Sequence, residues 1–285
     1  MPELPEVETI RRALAAHVEG RTLERLEVLD GRWSRPYAPA EIAAATEGRR
    51  VQALARRGKY LVFELRGDVF LIVHLRMTGT LLLDPPERSR HTRVVLDLGE
   101  HELLFVDPRR FGTGELALGL QARDAFFAAR LGVEPFDRAF TGAHLRALAR
   151  GGRAPVKAFL LDQRRVAGVG NIYADEALFR ARIHPLHPVG TLRPAQLQAL
   201  RDAVVAGLEA GIAAKGATID DFRDPFGVQG SFQDRFLVHT REGEPCPSCS
   251  TPIVKLRAAG RGTYVCPRCQ PAPRVARPRR SRRGP

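Results

Sequence analysis

YLVFELRGDVFLIVHL, residues 60–75, reads as two short apolar runs, 60–65 and 69–75, that meet at Gly67-Asp68. Gly-Asp is turn chemistry, and runs this short and rich in Val, Ile and Phe fit strands better than helices. Working outward, Arg25 to Leu29, Thr80 to Leu83, Arg93 to Leu98 and Glu102 to Val106 are runs of the same kind, separated by Asp-Pro-Pro and Leu-Gly-Glu. Short strands at this spacing predict a β-sandwich or barrel over about 22–118. Upstream, residues 5–18 predict a helix. Pro5 suits the first helical position, Glu6 and Glu8 sit in the first turn, and Val7, Ile10, Leu14 and Val18 share one face. Downstream, Gly132 to Asp137 reads as a connector, after which helical periodicity takes over at 141–150, 155–163, 171–181 and 194–214. Residues 216–240 carry several glycines and little periodicity and read as loop.

All four cysteines fall in one pattern, Cys246-x2-Cys249 followed, after sixteen residues, by Cys266-x2-Cys269. Paired knuckles at this spacing supply four thiolates for one tetrahedral zinc. Two disulfides or a redox pair are the competing readings. An intracellular setting argues against the first, and the absence of any other cysteine favours a single dedicated site. Four protein ligands close the coordination shell, so the ion is expected to be structural. Between the knuckles, residues 253–256 and 262–265 predict a hairpin whose tip carries Arg257 and Arg261. The expected class is therefore α+β and multidomain. An N-terminal β-sandwich with an N-terminal helix (1–131) leads through a linker (132–137) to a helical domain (138–240), a zinc-finger β-hairpin (241–270) and a basic tail (271–285) expected to be disordered.

The formal net charge is +13 over 285 residues, with 45 basic against 32 acidic side chains. Six of the arginines lie in residues 271–285, yet the excess persists without them. Only four of the basic residues are lysine, which GC-rich coding can explain; that coding does not explain why cations outnumber anions. The excess points to a polyanion, most simply nucleic acid. No apolar run approaches the roughly 18–20 residues of a membrane span, and the N-terminus lacks an apolar signal core, so an intracellular protein is expected.

Pro2-Glu3-Leu4-Pro5-Glu6-Val7-Glu8-Thr9 places a proline and a carboxylate at the start of the mature chain, because an initiator methionine is normally trimmed before proline. An α-amino group titrates at roughly 7.7–8.0, so a useful fraction of a Pro2 N-terminus is a free nucleophile at neutral pH. Attack of this secondary amine on an aldehyde carbon gives an iminium ion, an electron sink of the Schiff-base kind. Glu3 stands beside it to move protons. A plain Pro/Glu helix start is the bland alternative.

The opening octapeptide, the helical stretch and the finger together resemble bacterial formamidopyrimidine-DNA glycosylase, in one collinear order over residues 1–270. The motifs that carry the resemblance are Pro2 to Glu8, Arg57-Gly58-Lys59-Tyr60-Leu61, His74-Leu75-Arg76-Met77-Thr78-Gly79, Asp107-Pro108-Arg109-Arg110-Phe111-Gly112, Leu161-Asp162-Gln163 through Gly168-Val169-Gly170-Asn171-Ile172-Tyr173, and Gly243-Glu244-Pro245-Cys246. The resemblance implies a base-excision repair enzyme, a DNA glycosylase and abasic-site lyase that removes 8-oxoguanine and ring-opened purines from duplex DNA. Pro2 would attack C1′, Glu3 would donate the proton that helps open the sugar, Glu6 would support it, and Lys59 would reach the phosphate or base of the reacting nucleotide. Elimination would then cut the strand on both sides of the sugar, with no cofactor beyond the structural Zn2+.

By the same resemblance, residues 156–181 form a helix–two-turns–helix, and the loop at about 216–236 covers the everted base. Gly168 and Gly170 permit tight turns, and Asn171 is well placed as an N-cap whose helix can hold a phosphate on its exposed amides. Asn171 and Arg261 match the family's phosphate clamp, and His74 and Arg110 are further candidates for DNA contact. In an apolar strand His74 can equally be a satisfied core residue, and Arg110 can be a structural ion-pair residue. Chemistry on C1′ requires the nucleotide to leave the stack. Met77, Arg109 and Phe111 match the triad that fills the gap; core packing is the alternative for Met77 and Phe111. His239-Thr240 departs from the Tyr-Gly common in relatives, which bears on lesion preference. The partner implied is damaged duplex DNA, bound by a cytoplasmic, nucleoid-associated monomer, with the tail as a nonspecific tether. Two rivals remain open: the endonuclease VIII-like sister class acting on oxidised pyrimidines, and a non-catalytic zinc-ribbon protein that binds damaged DNA.

Overall fold

The computed structural model describes residues 1–219 and 222–273; of the basic tail expected over 271–285, residues 274–285 lie outside the described residues. Helix α1 (Leu4–Val18) buries Val7, Ile10, Leu14 and Val18 in the core of the sandwich, while Leu4 at its start is buried in the core of the helical half. One helix thus belongs to both cores, and its first turn lies where they meet.

The N-terminal half continues through β1 (Thr22–Leu23), β2 (Arg25–Val28), α2 (Pro39–Thr46), β3 (Arg49–Arg57), β4 (Tyr60–Leu65), β5 (Val69–His74), β6 (Thr80–Leu83), β7 (Thr92–Asp97), β8 (Glu102–Val106), β9 (Thr113–Leu118) and α3 (Leu120–Ala128). The strands form two antiparallel sheets, β1-β3-β4-β5-β9 and β2-β7-β8-β6. Leu61, Phe63 and Val73 of the first sheet meet Leu81, Leu96 and Phe105 of the second in one core. Alternate side chains Val62, Phe70 and Ile72 turn to the other face and pack under Phe127 of α3 and Leu131. Both faces of β4 and β5 are covered, which is why these strands read as continuous apolar runs.

Residues 132–137 form no helix or strand, but Val133 makes an isolated bridge to Val166 and so ties this segment to the helical half. That half comprises α4 (Gly142–Ala149), α5 (Val156–Leu161), α6 (Asn171–Arg180) and α7 (Pro194–Ala213). Thr141 caps α4, its hydroxyl accepting from the His144 amide at 3.0 Å. The only regular element described between α7 and residue 240 is a 3-10 turn at Phe232–Arg235, where the Phe232 ring stacks on Tyr173 with centroids 5.2 Å apart. The chain then forms the hairpin β10 (Val254–Ala258) and β11 (Arg261–Val265). Among the described residues no helix is long and apolar enough to cross a membrane.

Candidate active site

Where the two halves meet they line an open cavity of about 680 Å³, and its wall includes Pro2, Glu3, Glu6, Lys59, His74, Asn171 and Arg261. The N-terminal residues are seated by the glycines of Gly168-Val169-Gly170. The Leu4 amide donates to Gly168 O at 3.1 Å, Gly168 has φ +83°, and a Cβ at Gly170 would collide with the Glu3 carboxylate. Glycine is required at both positions so that the N-terminus can lie against the start of α6. The Glu3 carboxylate then accepts from the amides of Ile172 at 3.0 Å and Tyr173 at 3.4 Å. The positive end of α6 is therefore occupied by a carboxylate of the protein itself. This corrects the expectation that these amides stand free for a phosphate.

Glu6 lies behind Glu3. Its carboxylate accepts from the Glu3 amide (2.8 Å), the Tyr173 hydroxyl (2.9 Å) and the Ala217 amide (2.8 Å), so it joins α1, α6 and the segment after α7. Burial, and then the charge of Glu3, raises its pKa above the ordinary carboxylate range despite these three donors. Lys59, on the turn between β3 and β4, is 5% exposed. Burial pulls its pKa below that of an ordinary lysine, while Glu3 and Glu6 act to restore the charge and Arg261 opposes it. Proton donors and acceptors with displaced affinities are thus gathered along one cavity wall.

His74 at the end of β5 lines the same cavity but is 7% exposed, and its Nδ1 accepts from the Arg76 amide at 2.9 Å. Burial, together with the charges of Arg76 and Lys59, lowers its pKa to about 3. The ring is neutral at pH 7, and its proton sits on Nε2. His74 is therefore both a satisfied core histidine and a lining group with one N–H to offer.

Two loops at the rim carry Met77, Arg109 and Phe111, and the buried Asp107 carboxylate organises both. It accepts from the Thr78 hydroxyl (2.5 Å) and from the amides of Arg109 (3.1 Å), Phe111 (2.8 Å) and Gly112 (2.8 Å). Phe111 is left 50% exposed, and the Arg109 guanidinium lies 4.8 Å above its ring centroid. Met77 is half-buried, so neither Met77 nor Phe111 is a core residue. Arg110 points elsewhere: its Nε bonds Asp30 at 2.5 Å, and it is not part of the cavity wall. The ion-pair alternative describes it, and the expectation of a DNA contact finds no geometric counterpart.

Asn171 is the first residue of α6 and Gly170 is its N-cap, so Asn171 is not the cap expected. Its Nδ2 donates to Gly262 O of the finger at 3.1 Å, while its Oδ1 is buried without a partner among the described residues. A buried network holds the hairpin at this spot. Lys157 Nζ bonds Asp175 (2.7 Å), Thr263 Oγ1 (2.7 Å) and Gly262 O (3.2 Å), and Asp175 also bonds His239 Nδ1 at 2.8 Å. These contacts fix the start of β11 and so place exposed Arg261 at the cavity. Asp107, Lys157 and Asp175 had no assigned role in the sequence reading. Only Asp107 leaves a local signal, as an Asp placed to accept amides two and four residues on.

The sulfurs of Cys246, Cys249, Cys266 and Cys269 all lie within 4.8 Å of one another, with pairs at 3.5 and 3.9 Å. Four thiolates about 2.3 Å from a tetrahedral zinc stand roughly 3.8 Å apart, so the set fits one structural zinc.

Comparison with known proteins accounts for this arrangement. Residues 1–114 match the profile of the formamidopyrimidine-DNA glycosylase N-terminal domain, 131–223 that of its H2TH domain, and 243–272 a zinc finger found in FPG and IleRS. The formamidopyrimidine-DNA glycosylase of Chloroflexus aurantiacus is 45% identical over 95% of this chain and 98% of its own. The chain belongs to the formamidopyrimidine-DNA glycosylase family. Among solved members of that family, MutM (Fpg) from Thermus thermophilus superposes with a TM-score of 0.86 at 44% identity, covering 94% of this chain and 98% of the other. Fpg from Lactococcus lactis, in complex with abasic-site DNA, gives 0.88 at 35% identity, covering 95% and 100%. Further structures of the Lactococcus glycosylase hold DNA with Fapy-dG or an oxidised pyrimidine. The formamidopyrimidine-DNA glycosylase fold thus accounts for both sheets, the helical half and the finger of this chain, which is an enzyme of DNA repair.

Proposed function

We propose that this protein excises oxidised purines, 8-oxoguanine and formamidopyrimidines, from duplex DNA and cleaves the resulting abasic site, with Pro2 as nucleophile. The observation that carries the reading is the seating of Pro2 and Glu3 against the start of α6, beside buried Lys59, in a cavity between the two halves. Met1 precedes Pro2, so the Pro2 nitrogen gains its nucleophilic lone pair when that residue is removed. The amine then attacks C1′, the glycosidic bond breaks, and the base leaves with a proton. Glu3 takes the proton that the Pro2 nitrogen sheds on attack and passes it to O4′, so that the C1′–O4′ bond breaks and the sugar ring opens to the iminium. Loss of a C2′ proton expels the 3′ phosphate, and a second elimination expels the 5′ phosphate.

The remaining groups serve binding. Asn171, Arg261 and the Nε2–H of His74 face the space where the backbone of an everted nucleotide would run, whereas Lys59 works beside Pro2 and Glu3 on the base of the reacting nucleotide. Met77, Arg109 and Phe111 at the rim would fill the vacated stack, a flexible thioether, a cation for the orphaned base and an aromatic wedge. The DNA lies in the cleft between the sandwich and the helical half, and the protein acts as a monomer within the bacterial cytoplasm. The domain divisions 1–131, 132–137, 138–240 and 241–270 fit this reading, with each half supplying one wall. The segment 216–236 would close over the base.

The Lactococcus relative has been seen with both lesion classes, so binding alone does not separate this activity from the pyrimidine-acting one. Excision rates do. Faster release of 8-oxoguanine than of thymine glycol is expected, and the reverse order would move the protein to the sister class. Pro2→Gly should impair strand cleavage far more than DNA affinity. Equal loss of both would mean that Pro2 serves the fold.

A further inference from the structure

Glu134 lies in the linker segment, remote in sequence from every residue assigned above, yet its carboxylate sits against the turn that carries Lys59. The Gly58 amide donates to Glu134 Oε1 in a short buried bond, and Arg56 Nη1 donates to Glu134 Oε2 at 3.1 Å. The same Arg56 nitrogen also donates to Gly58 O at 3.0 Å, so carboxylate and guanidinium together engage both backbone polar groups of Gly58. Arg56 is held from the other side by Glu8 of α1, with Nε to Oε2 at 3.1 Å. Gly58 has φ +57°, and a Cβ there would come within 3.2 Å of Leu131 and 3.5 Å of Ala167, one from the end of the sandwich half and one from the helical half. The turn is thus enclosed by the junction of the two halves. Carboxylate and guanidinium between them fix the two peptide planes that flank Gly58. Glu134 acts through the N–H of the Arg57–Gly58 peptide, and Arg56, itself held by Glu134, through the carbonyl of the Gly58–Lys59 peptide from which the lysine departs.

We propose that Glu134 is a positioning residue for Lys59, fixing the Gly58–Lys59 turn so that the lysine side chain is directed into the cavity. Lys59 is 5% exposed and lines the cavity with Glu3 and Glu6, so the place its side chain takes among these groups follows the turn that carries it. The inference rests on the role given to Lys59 in the proposed function. Charge on the linker thereby helps set a group in the candidate active site, and the approach of the two halves is read out at Lys59.

The test is a double-mutant cycle on the full-length, zinc-loaded protein, using Glu134→Gln, Lys59→Ala and the pair. Single-turnover excision of 8-oxoguanine and affinity for a duplex with a tetrahydrofuran abasic analogue are both measured. Gln keeps the volume and one acceptor but sets an NH2 group against a donor and removes the charge. Glu134→Gln should slow excision by about 10- to 100-fold, as expected for a displaced reacting group, and leave the analogue affinity unchanged. In the Lys59→Ala background the same substitution should cost almost nothing further. Additive losses, or a parallel loss of analogue affinity, would show Glu134 acting through the fold and overturn the inference. Full activity of Glu134→Gln overturns it too. Full activity of Lys59→Ala would instead remove the proposed role of Lys59, and this inference with it. If Glu134→Gln does not fold, Glu134→Asp retains the charge while withdrawing it by one methylene, and the same cycle applies.

Discussion

At the scale of single residues, the side chains that line the cavity were legible and the residues that hold them in place were not. Pro2 and Glu3 stand out as an N-terminal amine beside a carboxylate, and Lys59 through the motif Arg57-Gly58-Lys59-Tyr60-Leu61 that carries the resemblance. Asp107 organises the rim, yet its type and spacing signal at most the amides of Arg109 and Phe111, not all four donors that converge on it. Asp107→Asn replaces one acceptor by a donor facing amides, and should cost about 1–3 kcal/mol of stability. It should also reduce the preference for lesion over undamaged duplex, since the loops of Met77 and Phe111 share this anchor. Urea unfolding and competition binding check the two effects, and an unchanged preference would separate the rim from lesion binding. His74 gives a pH prediction. Its pKa of about 3 in the folded protein lies below the roughly 6.5 of an unfolded histidine, so between these values the unfolded chain binds a proton that the folded one refuses. Its contribution to stability is therefore present above pH 6.5 and is lost as the pH falls towards 3. His74→Asn should flatten the fall in stability across that window by up to about 1.4 kcal/mol per pH unit, measured by denaturant unfolding at several pH values.

At the scale of elements, legibility followed burial pattern. The strands 60–65, 80–83 and 102–106 were read with the bounds observed, because each is a short apolar run bounded by turn residues. The nine-residue β3 went unread, although it is the longest strand. Only Val51 and Leu54 are buried in it, and the bulge between Val51 and Ala53 breaks the two-residue period. In α3 the one buried residue is Phe127, and in α2 only Ile42 and Thr46 are buried, so neither presents an amphipathic stripe. The Lys157–Asp175 pair, which fixes the hairpin, joins residues 18 apart and is invisible to any local pattern. The hairpin makes a prediction of its own. Its buried residues are few and its cysteines dominate its small core, so chelating the zinc should release it along with Arg261. DNA affinity should then fall sharply, while Trp33, the single tryptophan and only 2% exposed in the sandwich, keeps the emission of a buried indole. A red shift of that emission would show that the finger supports the whole fold.

At the scale of the whole molecule, the site exists only because two halves share one helix and one linker. Alpha-1 enters both cores, Glu6 bonds the segment after α7, and Glu134 reaches back to the β3–β4 turn. No local reading of either half contains the cavity; it arises from their junction. The class of partner was legible at this scale, because a net charge of +13 already calls for a polyanion. The central claim is that this junction presents the Pro2 amine to C1′ of a damaged nucleotide. It is tested most directly by adding borohydride to the protein mixed with duplex DNA containing 8-oxoguanine opposite cytosine. Reduction freezes the iminium, so the account predicts a covalent protein–DNA adduct that maps to Pro2. Absence of an adduct with this lesion, an oxidised pyrimidine and an abasic site alike would contradict it.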